Sequence, residues 1–112
     1  MTTTAASKHV VVVVPGFIQG APAVDLKTRS LLHHLSDAGL QPVLAPLPGR
    51  GAPEDAGDAR FRDYVVLVDD VVHRHQRAGH RVSVVGHSLG GLIASALPIA
   101  TQLQLHRRVV VA

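Results

Sequence analysis

The chain has 112 residues, of which 46% are hydrophobic and 3% aromatic, with a formal net charge of +3 and a pI near 10.2. This composition excludes a disordered chain, and the length fits one small domain over residues 1–112. The arginines are scattered, without a run longer than Arg107-Arg108 and without interleaved aromatic residues, so the positive charge does not indicate nucleic-acid binding.

The cysteine count and the N-terminus bear on location. Without cysteine the chain has neither disulfide nor thiol chemistry, which is compatible with the reducing cytoplasm that we expect as its location. The first residues lack a positive leader before an apolar region, and Pro15 interrupts the valine run too soon for a signal peptide. No stretch approaches the roughly 20 apolar residues of a membrane span, so we predict none.

The first element is a near-continuous valine run, which predicts a strand over residues 9–14 buried on both faces of a parallel sheet. The following Pro15-Gly16-Phe17 turn leaves backbone N–H groups that no ladder can satisfy. Taken alone, this is an ordinary strand-ending turn. Combined with the serine motif described below, it becomes a candidate source of oxyanion-binding donors.

The rest of the chain alternates between helix and strand patterns. We predict helices over 24–38, 60–78 and 89–103, and strands over 42–45, 81–85 and 107–111. Gly39 and Gly79 lie where helix C-terminal stops belong, and Pro98 should kink or shorten the third helix. The alternation predicts an α/β fold with a parallel sheet of about four strands flanked by helices.

The motif that carries chemistry is Gly86-His87-Ser88-Leu89-Gly90, between a β-branched run and an apolar helix-like run. A serine on so sharp a strand-to-helix turn occupies sparsely allowed backbone space, and positions two before and two after it come too close to neighbouring backbone to carry a Cβ. Gly86 and Gly90 occupy those two positions. The pattern therefore predicts a nucleophile elbow with Ser88 as the catalytic residue, against the alternative of a glycine-rich turn that only packs a helix on a strand.

On these motifs the chain resembles the α/β-hydrolase superfamily. The turn ending in Phe17 resembles the family's H-G-F turn, residues 46–51 resemble its D-L-P-G-H-G loop, and residues 86–91 resemble the G-H-S-x-G-G elbow of its esterases, lipases, thioesterases and acyltransferases. The resemblance implies the strand order second, first, third, fourth. It also implies an oxyanion hole made by the amides of Phe17 and Leu89.

The resemblance also implies a catalytic acid and a catalytic histidine, which the motifs described above do not supply. Family members carry an acid and a histidine after later strands, and the chain stops at Ala112 before both, so we expect an incomplete α/β-hydrolase fold. Of the eight histidines, His87 adjoins the serine but should point elsewhere. His73, His75 and His80 read as solvated helix-face residues, His33 and His34 read likewise on the first helix, and Asp69 and Asp70 read as an ordinary charged helix face.

These observations give two functional hypotheses. The first is a serine hydrolase acting on a small ester, thioester or other acyl substrate, with no cofactor and no metal, whose base and acid come from a C-terminal part, a partner chain or nowhere. The second is a non-catalytic, truncated hydrolase scaffold that binds a ligand, or a partner or second copy at its C-terminal edge strand. A gene fragment without a selected function remains a third alternative.

Overall fold

The structure, a computed structural model, describes residues 7–16, 26–47 and 59–111. Its elements along the chain are β1 (His9–Val14), α1 (Leu26–Asp37), β2 (Gln41–Leu44), α2 (Phe61–Arg77), β3 (Arg81–His87), α3 (Leu89–Ser95), α4 (Ile99–Gln104) and β4 (Arg107–Val111). The strands form one sheet in the order β2-β1-β3-β4, and all three neighbouring pairs are parallel. The predicted α/β class, the parallel sheet and the strand order are confirmed.

The valine run of β1 is central because it pairs with β2 on one side and β3 on the other. Val10, Val12 and Val14 face α2 and α3, where they join the core formed by Val68, Val72, Val82, Val84, Ile93 and Ala94. Val11 and Val13 point to the opposite face and are also buried. A strand covered on both faces explains why the run is continuous rather than alternating.

The predicted helix stops are confirmed at Gly39 and Gly79, which have φ of +83° and +89°. Glycine adopts this left-handed conformation without the steric cost that a Cβ imposes. At Gly79 the last carbonyls of α2 are capped, because the Gly79 amide donates to the Gln76 carbonyl at 2.9 Å and the His80 amide donates to the His75 carbonyl at 3.2 Å.

The predicted third helix is divided into two helices, as the position of Pro98 indicates. Proline lacks the N–H that a continuous helix would use and its ring crowds the preceding turn, so α3 ends at Ser95 and α4 begins at Ile99. The Gln102 side-chain amide donates to the carbonyls of Leu97 at 2.7 Å and Ser95 at 3.3 Å. These bonds occupy acceptors that the end of α3 would otherwise leave without partners.

The two faces of the sheet are covered unequally. Three helices, α2, α3 and α4, lie on one face and pack on β1, β3, β4 and each other, whereas α1 packs chiefly on β2. The strand β4 is exposed at every residue. In the described ranges, no helix is both long and apolar enough to cross a membrane.

Candidate active site

Ser88 lies between the last residue of β3 and the first residue of α3, with φ of 56° and ψ of −118°. Within the described part of the chain it is the one residue other than glycine that has a positive φ. Such a conformation costs about 1–3 kcal/mol and persists only where the surroundings enforce it. The turn leaves the serine exposed at the carboxyl edge of the sheet.

Two glycines allow this turn to form. A Cβ on Gly86 would overlap the carbonyl of Gly90, and a Cβ on Gly90 would overlap the carbonyl of Val14 at the end of β1. In both cases the obstacle is backbone, which cannot rotate away as a flexible side chain can. Only glycine therefore fits at these two positions, where β1, β3 and α3 pack in close contact.

The backbone of Ser88 is held on both sides. Its amide donates to the carbonyl of Val111 on β4 at 2.9 Å, and its carbonyl accepts from the amides of Gly91 at 2.9 Å and Leu92 at 3.3 Å. Neighbouring Gly91 lets β4 approach, because a Cβ there would lie 2.7 Å from Cγ1 of Val110. Thus the fourth strand helps to fix the serine, which the motif alone does not indicate.

The end of β1 also reaches the serine. A Cβ built on Gly16 would lie 3.2 Å from the Ser88 Cβ and 3.3 Å from the His87 carbonyl. The predicted oxyanion donor Phe17 follows Gly16 directly but lies outside the described residues. The other predicted donor, Leu89, is the first residue of α3, so its amide has no acceptor within the helix.

An apolar cleft of about 150 Å³ opens beside this turn. Its walls come from the carboxyl ends of β1, β3 and β4 and from the first half of α1: Val13, Val14, Pro15, Lys27, Thr28, Leu31, Val85, His87 and Val111. Ser88 itself is not among them, and the cleft begins at its neighbour His87. The cleft therefore presents an apolar surface on the α1 side of the sheet, next to the turn that carries Ser88.

No described histidine forms a hydrogen bond with the Ser88 hydroxyl. His87 faces the cleft, while His9 and His106 contact each other at the amino edge of the sheet, with ring centroids 4.7 Å apart. Burial is the largest of the causes that lower the pKa of His75, and the nearby His80 and Arg74 lower it further. In this geometry, therefore, none of these histidines is hydrogen-bonded to Ser88 as a base would be.

The prediction that His73 and Asp69 are ordinary solvated residues is wrong. Thr101 is buried, with 1% of its surface exposed, and its hydroxyl donates to Asp69 Oδ1 at 2.6 Å. His73 Nε2 lies 3.0 Å from the Thr101 hydroxyl and 3.3 Å from the same carboxylate oxygen. This network joins α2 to α4, and Thr101 lies 32 positions from Asp69 and 28 from His73, so helical periodicity could not reveal its part in the network.

Across the described residues, no group of three or more histidine, cysteine, aspartate or glutamate side chains is arranged to hold a metal ion. The site consists of a serine on a strained turn, glycine-lined backbone and an apolar cleft.

Comparison with known proteins connects this geometry to a family. A model of the alpha/beta hydrolase family matches residues 11–112. The chain belongs to this family. No curated protein sequence matches the chain at a significant level.

Solved structures agree with membership of the alpha/beta hydrolase family at the level of the fold. One, reported for LipS and LipT, two metagenome-derived lipolytic enzymes, superposes with a TM-score of 0.73 at 17% identity, over 96% of this chain. An acetylxylan esterase superposes with a TM-score of 0.61 at 15% identity, over 94% of this chain. The chain spans 42% and 63% of the lengths of these two structures.

Proposed function

We propose that the chain carries the nucleophile of a serine hydrolase that acts on an ester, thioester or other acyl compound through Ser88. The observation that carries this proposal is the backbone of Ser88, held at a positive φ with its side chain exposed at the carboxyl edge. Glycine stands at both positions where a Cβ would close the turn. Strain of this kind is typical of functional sites, where the fold maintains it for mechanism.

In this proposal the Ser88 oxygen attacks the substrate carbonyl carbon and forms a C–O bond, while the serine proton passes to a base. The amides of Leu89 and Phe17 donate to the oxyanion of the tetrahedral intermediate, each donor contributing roughly 3 kcal/mol in enzymes of this kind. Collapse of the intermediate expels the alcohol or thiol, and water then hydrolyses the acyl-enzyme. We place the base and its orienting acid outside the described residues, in further polypeptide or in a partner chain.

We assign the apolar cleft beside His87 to the acyl part of the substrate. Its walls are mainly valine, leucine and proline, and Lys27, Thr28 and His87 are the polar residues among them. Sites of this composition bind the apolar body of a ligand and orient it with a few polar groups. In this arrangement His87 contributes to a wall and does not act as the base.

Covalent labelling tests the role of Ser88. We expect a fluorophosphonate at high concentration to modify the polypeptide of residues 1–112 slowly, because an alcohol without a base is a poor nucleophile. We also expect the adduct on Ser88 in preference to the other serines, since the elbow exposes the Ser88 hydroxyl beside the oxyanion donors. Fragmentation mass spectrometry of the modified peptide locates the adduct.

Two variants control this experiment. Ser88→Ala should abolish the adduct, and Ser95→Ala should leave it unchanged, because Ser95 is another exposed serine, at the end of α3 and outside the turn. An adduct spread over several exposed serines, or one that survives in Ser88→Ala, would contradict the proposal. Rapid labelling of Ser88 would show that a base is already present within residues 1–112.

A second candidate function, a scaffold that binds another chain, is favoured by the exposure of β4. Val109, Val110 and Val111 are 45%, 50% and 48% exposed, and within the described sheet the strand pairs only with β3. An apolar edge strand is a template for pairing with a further strand. In an antiparallel pairing centred on Val109, a second copy would place Arg107 and Arg108 opposite valines rather than opposite arginines.

Sedimentation velocity tests this candidate. We expect the polypeptide of residues 1–112 to associate as concentration rises, and Val109→Lys to shift it toward monomer, because lysine on an edge strand opposes pairing. Val66→Lys is the matched control, since Val66 is 52% exposed on α2, away from the edge. A monomer over a wide concentration range, with one cooperative unfolding transition, would refute the scaffold candidate.

A further inference from the structure

The amino edge of the sheet, opposite Ser88, carries a cluster of imidazole and guanidinium groups. His9 Nε2 lies 2.7 Å from the hydroxyl of Ser83 on the neighbouring strand β3. The His106 ring, just before β4, meets the His9 ring edge to face, with centroids 4.7 Å apart and an interplanar angle of 86°. The cluster lies about 20 Å from Ser88, the length of a six-residue strand.

Strand register adds two arginines to this cluster. Arg81 is the direct partner of His9, and Arg107 is the direct partner of Ser83. Directly paired residues of neighbouring strands point to the same face, and so do residues two apart on one strand. Arg81 and Arg107 therefore lie on the same face as the His9 and Ser83 side chains, and both arginines are exposed.

His9 and Arg81 also line an open cleft of about 570 Å³ between the start of the sheet and the end of α1. The remaining lining residues are Ser7, Lys8, Ser36, Gly39, Leu40 and Gln41. This lining contains cations, hydroxyls and an amide, and among the described residues no carboxylate contributes to it. Across the cleft from His9 lie Ser36 of α1 and Gly39, which follows α1, whereas Asp37 at the end of α1 is not among the lining residues.

The positive charges of this edge are not neutralised within the described structure. Burial is the largest of the causes that lower the pKa of His9. The positive charges of His106, Arg81 and Arg107 lower that pKa further. In the described ranges neither Arg81 nor Arg107 forms an ion pair; the nearest polar contact of Arg107 is a long bond from its guanidinium to the His106 carbonyl at 3.4 Å.

We propose that this edge binds a tetrahedral dianionic oxyanion, such as the phosphate of a phosphate monoester, between His9, Arg81 and Arg107. The planar guanidinium forks donate paired hydrogen bonds to oxyanions, and the cleft leaves room for the organic group of a monoester. The anion also favours protonation of His9 by a proton from solvent, after which His9 Nε2 donates to the Ser83 hydroxyl. Binding therefore strengthens as pH falls through the histidine range.

Sulfate is the probe for this site because it stays dianionic across the range in which histidine titrates. We expect sulfate to shift the imidazole Cε1–H NMR signals of His9 and His106 along saturable curves, at constant ionic strength set with sodium chloride. Affinity at about pH 5.5 should exceed that at about pH 8 by about tenfold, because protonated imidazole attracts the anion and neutral imidazole does not. His9→Gln should remove most of this pH dependence.

Matched arginine variants decide whether the site or the overall charge binds sulfate. Arg81→Gln and Arg107→Gln should each weaken binding about tenfold, the usual effect of losing a charged hydrogen bond. Arg62→Gln removes the same charge from an exposed position at the start of α2 and should change affinity less than twofold. Linear, non-saturating shifts, equal effects of all three variants, or acetate binding as tightly as sulfate would each overturn the proposal.

Discussion

Ser88→Cys is expected to react with 4-nitrophenyl acetate at least about 100-fold faster than Ser95→Cys. A thiol is partly ionised near neutral pH and needs no neighbouring base, so this substitution tests the elbow independently of the missing proton acceptor. The rate advantage should come from the oxyanion donors, each of which contributes a factor of about 100 to 1,000 in related sites. Release of nitrophenolate in stopped flow measures the acylation rate.

Each variant has a single thiol because the chain itself contains no cysteine, so the measured reaction belongs to position 88 or 95 alone. Alkylation by iodoacetamide provides the internal reference, since it reports thiolate availability but forms no oxyanion. The ratio of acylation to alkylation should therefore be high at position 88 and ordinary at position 95. Equal ratios would mean that the amides near Ser88 do not form an oxyanion hole.

Gly90→Ala is expected to lower the free energy of unfolding by more than about 3 kcal/mol, at the upper end of overpacking effects. The added Cβ would overlap the carbonyl of Val14, so either α3 or the end of β1 must move. Both belong to the core through Val14, Ile93 and Ala94, which are buried. Because small domains are stable by only about 5–15 kcal/mol, we expect a partly unfolded variant at room temperature.

Gly79→Ala is the matched control for this prediction. Gly79 has a positive φ but no heavy atom within 4 Å of a built Cβ, so the substitution adds backbone strain without a clash. We expect a loss of about 1 kcal/mol, the cost of a left-handed alanine. Urea unfolding followed by circular dichroism measures both values. If Gly90→Ala cost no more than Gly79→Ala, the close approach of α3 to β1 would be wrong.

Local sequence determined most of the scaffold around the serine. The valine run predicted β1 with its bounds, because β-branched residues buried on both faces favour a central parallel strand. Gly39 and Gly79 predicted the helix ends, and Pro98 predicted the break between α3 and α4, because each acts through the backbone of its own turn. The order of strand, serine and helix around Ser88 was likewise predicted from neighbouring residues in the sequence.

Only the tertiary structure decided which distant groups meet. The Thr101 hydroxyl contacts Asp69 and His73 because α4 packs on α2. His9 contacts Ser83, 74 positions away in the chain, because β1 pairs with β3. The exposure of β4 and the bond from the Ser88 amide to Val111 likewise depend on sheet order. Such contacts depend on register and packing between elements far apart in the chain, which short-range periodicity does not encode.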